Sequence, residues 1–468
     1  MTQIRRTKIV ATLGPASESP KVIRTLIDAG VDAVRLNFSY GDLETHGRLI
    51  DVVRESAAAA GRDIAILQDL QGPKIRVGDL KSGSVRLRTG AKVRLTSKAI
   101  QGTSTRISTT YDLTREVSPG DRILLDDGSI ELTVDKVSRG EVICAVVRGG
   151  TLKSGKGMNL PGISIRTPAF TAKDRRDLRF GLERGIDAVA LSFVRSGKDA
   201  EPVRRVMRGS GRSVPVLAKI ERPQALRDLD RVLRAFDGVM VARGDLGVEI
   251  GPEKVPAAQK RIIRRANALG KPVITATQML ESMTKNARPT RAEASDVANA
   301  VLDGTDAVML SGETAAGRYP EESVRVMDLI VREAESLEAP EAPHIPRKSR
   351  SHSICHAAVG LAKEVSASAI AALTRSGRTA RILSALRPGV PIFALCERSE
   401  VARSLSLFRG VVPISVDKLA GADRVIVQIE DELVARGLVV KGEDVVVVGS
   451  AKDGPSRQTN YIRLLRVR

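Results

Sequence analysis

The chain has 468 residues, past the size at which a single hydrophobic core stops growing, so more than one domain is expected. Its 75 Lys and Arg stand against 55 Asp and Glu, for a formal charge of +20. The cations are interleaved with acids along the length, which fits solvated helix faces and a protein that handles small anions better than a nucleic-acid binder. Aromatics are 2% with no Trp, against a base-stacking platform; Cys144, Cys355 and Cys396 are too few and scattered for a disulfide framework or a metal site. The opening MTQIRRTKIVATLG is cut by Gly14-Pro15 before it could serve as a signal peptide, and no apolar run approaches the roughly 20 residues of a membrane helix, so a cytoplasmic location is expected.

In chain order, eight short apolar runs read as buried strands: KIVATLG (8–14), VDAVRLNF (31–38), DIAILQDL (63–70), IDAVALSFV (186–194), VPVLAKIE (214–221), DGVMVARGD (237–245), KPVITATQ (271–278) and TDAVMLSGE (305–313). Helical patterns separate them, such as PQALRDLDRVLRAF (223–236) and VPAAQKRIIRRANALG (255–270), with Gly270 and Gly304 as expected C-caps. Eight βα units predict a (β/α)8 barrel over 1–71 and 169–337, with functional residues at the strand C-termini. Between them, 72–168 alternates as an all-β insertion whose Gly and Pro junctions suit a hinged small β-barrel lid. EAPEAPHIPRK (338–348) reads as a Pro-rich linker, and 349–468 as an open-sheet α/β domain.

The chemistry gathers at the strand ends. Lys219 and Glu221 are two apart and share a face; Glu221 and Asp245, on neighbouring strands, could share Mg²⁺. An internal ion pair closing the barrel is the alternative reading. Arg35, Asn37 and Ser39 alternate toward the same mouth, where an arginine can clamp a phosphoryl group. In DLQGPKIR (69–76) the Gly-Pro turn sends Lys74 and Arg76 back toward Asp69. TRSGRT (374–379) is a short turn whose N–H groups could bind phosphate, or an ordinary capped helix start.

Taken together, KIVATLGPAS, VRLNFSYG, DLQGPKIR, LSFVR, AKIERP, VARGDLGVEI, ITATQMLESM, the block RPTRAEASDVANAVLDGTDAVMLSGETAAGRYP and TRSGRT resemble the pyruvate kinase family, in its order and over nearly the whole chain. The resemblance implies phosphoryl transfer from phosphoenolpyruvate to ADP, giving pyruvate and ATP, usually in a homotetramer. It gives Glu221 and Asp245 to Mg²⁺ (or Mn²⁺), Lys219, Arg35 and Arg76 to the phosphoryl group, and Thr277 to protonation of the enolate. The backbone of Gly244 and Asp245 would receive the substrate carboxylate, while Pro15, Asn37 and Tyr40 would meet nucleotide, Tyr40 standing where a histidine is usual. Many members hold K⁺ at positions matching Asn37, Ser39, Asp69 and the Leu70 carbonyl. There a glutamate usually stands at the position of Lys74, so Lys74 is expected to replace K⁺, as in the K⁺-independent branch. Thr374, Ser376, Gly377, Arg378 and Thr379 match an effector's phosphate turn; without Trp, and with a divergent SAKDGPSRQTN, a nucleotide or sugar monophosphate effector, or none, is expected. Another Mg²⁺-dependent barrel enzyme on phosphoenolpyruvate or an oxoacid, such as a lyase, and a non-catalytic basic binding protein are the rivals.

Overall fold

The computed structural model describes residues 4–138, 140–163, 165–337, 349–419, 424–450 and 458–468. Eight parallel strands close into a barrel: β1 (Lys8–Thr12), β2 (Ala33–Asn37), β3 (Ala65–Asp69), β4 (Ala188–Leu191), β5 (Val216–Ile220), β6 (Gly238–Ala242), β7 (Val273–Ala276) and β8 (Ala307–Leu310). Every residue in them except Asn37 is buried, which is why they read as unbroken apolar runs. Val10, Leu67, Leu217, Met240, Ile274 and Met309 form one buried set; Ile9, Ile66, Ala218, Val239, Val273 and Val308 alternate with them and join the helical shell.

Two strand ends differ from the sequence reading. β6 stops at Ala242, and Gly244 and Asp245 lie in the first turn of the helix Arg243–Ile250; β7 stops at Ala276. The helical run 223–236 breaks into Pro223–Arg227 and Leu229–Ala235 at Asp228, whose φ of −99° and ψ of 23° leave the helix. Aspartate favours such breaks because its side chain competes with the helical backbone. Gly270 and Gly304 do follow their helices with positive φ, 65° and 94°.

The insertion forms a seven-stranded sheet, from Ile75–Arg76 at one edge to Arg106–Ser108 at the other, around its own core of Leu95, Ile123, Leu132, Val142 and Cys144. The sheet curls until its edges meet, through a Val77–Thr109 bridge and bonds from Gly78 N to Ser108 O (2.8 Å) and Thr110 N to Arg76 O (3.0 Å). At its entry Gly72 has φ +66°, and a Cβ there would come 2.8 Å from Phe193 Cδ2. Its N–H donates to Asp174 Oδ1 at 3.0 Å, and the other Asp174 oxygen caps the helix Ala172–Glu183 through Thr171.

The expected linker, 338–348, lies outside the described residues. Beyond it, β9 (Ala369–Leu373), β10 (Ile392–Cys396), β11 (Val411–Ser415), β12 (Asp444–Gly449) and β13 (Tyr461–Arg466) order as β11-β10-β9-β12-β13, parallel except for β13. This domain packs under the barrel at the starts of its strands: Arg403 pairs with Asp187 at 3.0 Å, Ser406 Oγ donates to Asp63 O at 2.5 Å, and Arg387 to Gly304 O at 2.7 Å. The three cysteines are free and buried, and burial pushes each thiol up to about 12. No described helix is long and apolar enough to cross a membrane.

Candidate active site

At the barrel mouth the Lys219 ammonium lies 3.1 Å from Asp69 Oδ1 and 2.9 Å from Glu221 Oε1, and donates to Ser192 Oγ at 2.8 Å. The strand register aligns Asn37 with Asp69 and Asp69 with Ala190, so the ends of β2, β3 and β4 stand level around it. Burial opposes the charge on Lys219, but Asp69 and Glu221 outweigh it and hold the ammonium well above the usual lysine range. Asp69 is likewise buried, and Lys219 and Arg35 bring its carboxyl below the ordinary carboxylate range. Arg35 reaches Asp69 Oδ2 at 2.7 Å and Thr12 Oγ1 at 3.1 Å, which fixes its guanidinium at the mouth.

Glu221 is buried beside Lys219 and accepts from Phe193 N at 2.7 Å, yet burial and neighbouring Asp245 together raise its carboxyl above the usual range. Two neighbouring carboxylates that repel one another, even with Lys219 beside Glu221 and Lys74 beside Asp245, are a donor set that suits a small hard dication. Among the described residues no three His, Cys, Asp or Glu side chains gather as a metal group, so such an ion would draw its remaining ligands from substrate and water. Lys74 Nζ stands 3.5 Å from Asp245 Oδ1.

That position corrects the expected return of Lys74 and Arg76 to Asp69. Lys74 meets Asp245, and Arg76 donates to Gly155 O at 2.9 Å while lying 5.3 Å over the Tyr40 ring. Asp69 is already saturated by Arg35, Lys219 and Ser192, which leaves no room for two more cations. Two of the other expected cation donors are engaged too: Asn37 Oδ1 accepts from Ser39 N at 3.1 Å, and Leu70 O from Ser192 Oγ at 2.7 Å.

Thr277 and Gln278 follow β7 with φ of 66° and 53°, a left-handed pair costly for non-glycine residues. Arg243 holds them there by donating to the carbonyls of Ala276, Thr277 and Gln278, while Asp296 pairs with it at 2.6 Å. Gly244 N donates to Thr277 Oγ1 at 2.9 Å, tying the ends of β6 and β7 together. Pro15 and Tyr40 are exposed in the loops after β1 and β2. Far from this mouth, the turn Thr374–Thr379 leads from β9 into the helix Arg378–Ala385, with Gly377 at φ +78°. It lies at the point where strand order reverses, but Thr379 Oγ1 is bonded to Thr459 Oγ1 at 2.8 Å.

Sequence reasoning passed over Ser192 and Arg243. Ser192 was open to the alternation argument, since LSFVR directs it toward the mouth from β4. Arg243 carried no such signal, because its role is to brace three carbonyls at and just beyond the end of β7.

The family model "Pyruvate kinase, barrel domain" matches residues 4–324, and "Pyruvate kinase, alpha/beta domain" matches 352–465. A pyruvate kinase of Mycobacterium tuberculosis is 47% identical over 466 residues, covering 99% of this chain and 98% of that protein. One from Corynebacterium glutamicum is 47% identical over 462 residues, covering 98% and 97%. The crystal structure of a pyruvate kinase from Cryptosporidium parvum superposes with a TM-score of 0.91 at 36% identity, covering 99% of this chain and 96% of that one. With both domains matched and relatives aligned nearly end to end, the chain belongs to the pyruvate kinase family of phosphotransferases.

Proposed function

We propose that the chain transfers the phosphoryl group of phosphoenolpyruvate to ADP, giving pyruvate and ATP, with Mg²⁺ or Mn²⁺ on Glu221 and Asp245 and without need of K⁺. The observation that carries the reading is the buried Lys219 ammonium, kept charged by Asp69 and Glu221 where a phosphoryl group would arrive. A loose phosphoryl-transfer transition state asks for positioning and positive charge rather than a protein nucleophile. The bound dication would supply charge neutralisation for the phosphate and enolate oxygens. Arg35, braced by Asp69 and Thr12, would take the phosphate from the barrel side, and Arg76 from the insertion. Thr277, held at a fixed angle by Arg243, would assist protonation of the enolate, and the first turn of Arg243–Ile250 would receive the substrate carboxylate.

The K⁺-independent part rests on Lys74, a cation beside Asp245, and on the engagement of the Asn37, Asp69 and Leu70 oxygens within the protein. The same reading takes 72–168 as a lid hinged at Gly72, the Thr374–Thr379 turn as an effector's phosphate site, and a cytoplasmic homotetramer as the working assembly. Pyruvate formation from phosphoenolpyruvate and ADP with Mg²⁺ tests the reaction, run in K⁺-free buffer and again with K⁺. Comparable rates are expected. Activity only with K⁺ keeps the kinase and discards Lys74 as its replacement, while no pyruvate under either condition discards the kinase reading itself. Lys74→Glu is expected to make the rate K⁺-dependent.

A further inference from the structure

Phe193, the second residue beyond β4, has φ +57°, a left-handed backbone that a bulky side chain adopts only at a cost. It is buried, and its backbone and its ring meet different partners. The N–H donates to Glu221 Oε2 at 2.7 Å, while Lys219 pairs with the other oxygen, Oε1, at 2.9 Å. Two charge-assisted contacts, one on each oxygen, fix the plane of the carboxylate and leave each oxygen a second lone pair. The ring packs at the entry to the insertion, where a Cβ on Gly72 would come 2.8 Å from its Cδ2, and the Arg222 guanidinium lies 5.1 Å from its centroid.

Arg222 is held in its turn. It is buried, and its Nη1 pairs at 2.6 Å with Oε1 of Glu249, whose side chain is 1% exposed. Glu249 sits in the last turn of the helix Arg243–Ile250, the end at which the helix dipole disfavours a negative charge. Asn159, on the strand Gly157–Asn159 of the insertion, donates to the same Glu249 oxygen at 3.4 Å. A buried ion pair adds little net stability over apolar side chains of similar size, and a left-handed phenylalanine subtracts from it. Both features stand directly behind one carboxylate of the mouth, which gives them a use that stability does not.

We propose that Phe193 and Arg222 are positioning residues for the dication on Glu221: the Phe193 N–H sets the angle of the carboxylate, and Arg222, locked by Glu249, pins the ring that keeps Phe193 left-handed. Neither residue touches the reacting atoms. The inference rests on the assignment of Glu221 and Asp245 to the metal, and adds the residues that hold the first of them still. Loss of a partner behind a metal ligand typically lowers metal affinity by about 10–100-fold.

The test is Mn²⁺ binding to the full chain without substrate, followed through the electron spin resonance of free Mn²⁺, beside thermal unfolding. A double variant, Arg222→Met with Glu249→Gln, removes both charges of the buried pair together and leaves Asn159 an acceptor, so it is expected to melt within about 3 °C of the parent. Its Mn²⁺ affinity is expected to fall about tenfold. In the pyruvate assay the Mg²⁺ giving half the maximal rate is expected to rise by the same factor, with kcat at saturating Mg²⁺ within about threefold of the parent. Arg222→Lys keeps the ion pair but exchanges the flat guanidinium over the ring for a compact ammonium, and is expected to lose about threefold in Mn²⁺ affinity. Parent affinity in the double variant overturns the proposal; should that variant melt far lower, Arg222→Lys decides alone, and parent affinity there overturns it. A parent that takes up no Mn²⁺ overturns the assignment of Glu221 and Asp245 itself, an outcome distinct from variants that bind like the parent.

Discussion

Lys219 gives up its water on entering the barrel mouth and regains equivalent contacts from Asp69, Glu221 and Ser192, so its charge serves both the fold and the phosphoryl group. Lys219→Met removes the one cation between two buried carboxylates. Steady-state assay is expected to find turnover lowered by about 10²–10³, the scale of losing a single preorganised electrostatic contact. Urea unfolding is expected to find the variant about 3–5 kcal/mol less stable, the penalty for breaking a buried ion pair from one side. If turnover falls with stability unchanged, the view of Lys219 as a structural counter-ion is wrong. The pairing of Lys219 with Glu221 was legible because their two-residue spacing fixes a shared face. Asp69 was not: the cations beside it in sequence, Lys74 and Arg76, turn elsewhere, and its partners come from β2 and β5, which only barrel closure brings near.

At the level of elements, the eight barrel strands were readable because burial on both faces leaves an apolar signature, whereas the start of the helix Arg243–Ile250 was not, since it follows Ala242 directly with no capping side chain to mark the junction. The helix Leu43–Ala59 supplies a pH prediction. Its His46 stacks on Phe38 with ring centroids 3.9 Å apart and contacts the Tyr40 carbonyl through Nε2 at 2.9 Å, leaving Nδ1 buried without a partner. Burial lowers its affinity for a proton, so the unfolded chain binds that proton more tightly than the folded one. The contribution is therefore whole above about pH 6.5 and is lost as pH falls toward the folded value. Unfolding of the parent and of His46→Gln between pH 8 and pH 5 is expected to give a shallower loss in the variant, and parallel curves would refute the assignment. Gly72 makes a second prediction. Gly72→Ala meets Phe193 as well as an unfavourable φ and should cost more than Gly61→Ala, where φ is +62° but nothing lies within 4 Å, by about 1 kcal/mol or more in urea.

Across the whole molecule, Asp187 ties three layers together, accepting from Ile66 N at 2.8 Å on β3, from Arg54 at 2.6 Å on the helical shell, and from Arg403 at 3.0 Å in the C-terminal domain. Asp187→Ala leaves two arginines facing an empty seam. Calorimetry is expected to resolve its unfolding into two transitions where the parent gives one, with the first at lower temperature. One transition at the parent temperature would place the coupling elsewhere. The closed barrel, the curled insertion and the α/β sheet were each foreseeable from local pattern, but the seam between them was not, because its arginines are indistinguishable in sequence from those on solvated helices. The buried thiols give these units separate chemical voices. Cys144 belongs to the insertion, Cys355 and Cys396 to the C-terminal domain, and the barrel has none. With so little thiolate at neutral pH, an alkylating reagent stays idle on the folded chain and marks each unit only when that unit opens. The order in which the three sulfurs become labelled on warming thus records which part of the enzyme lets go first.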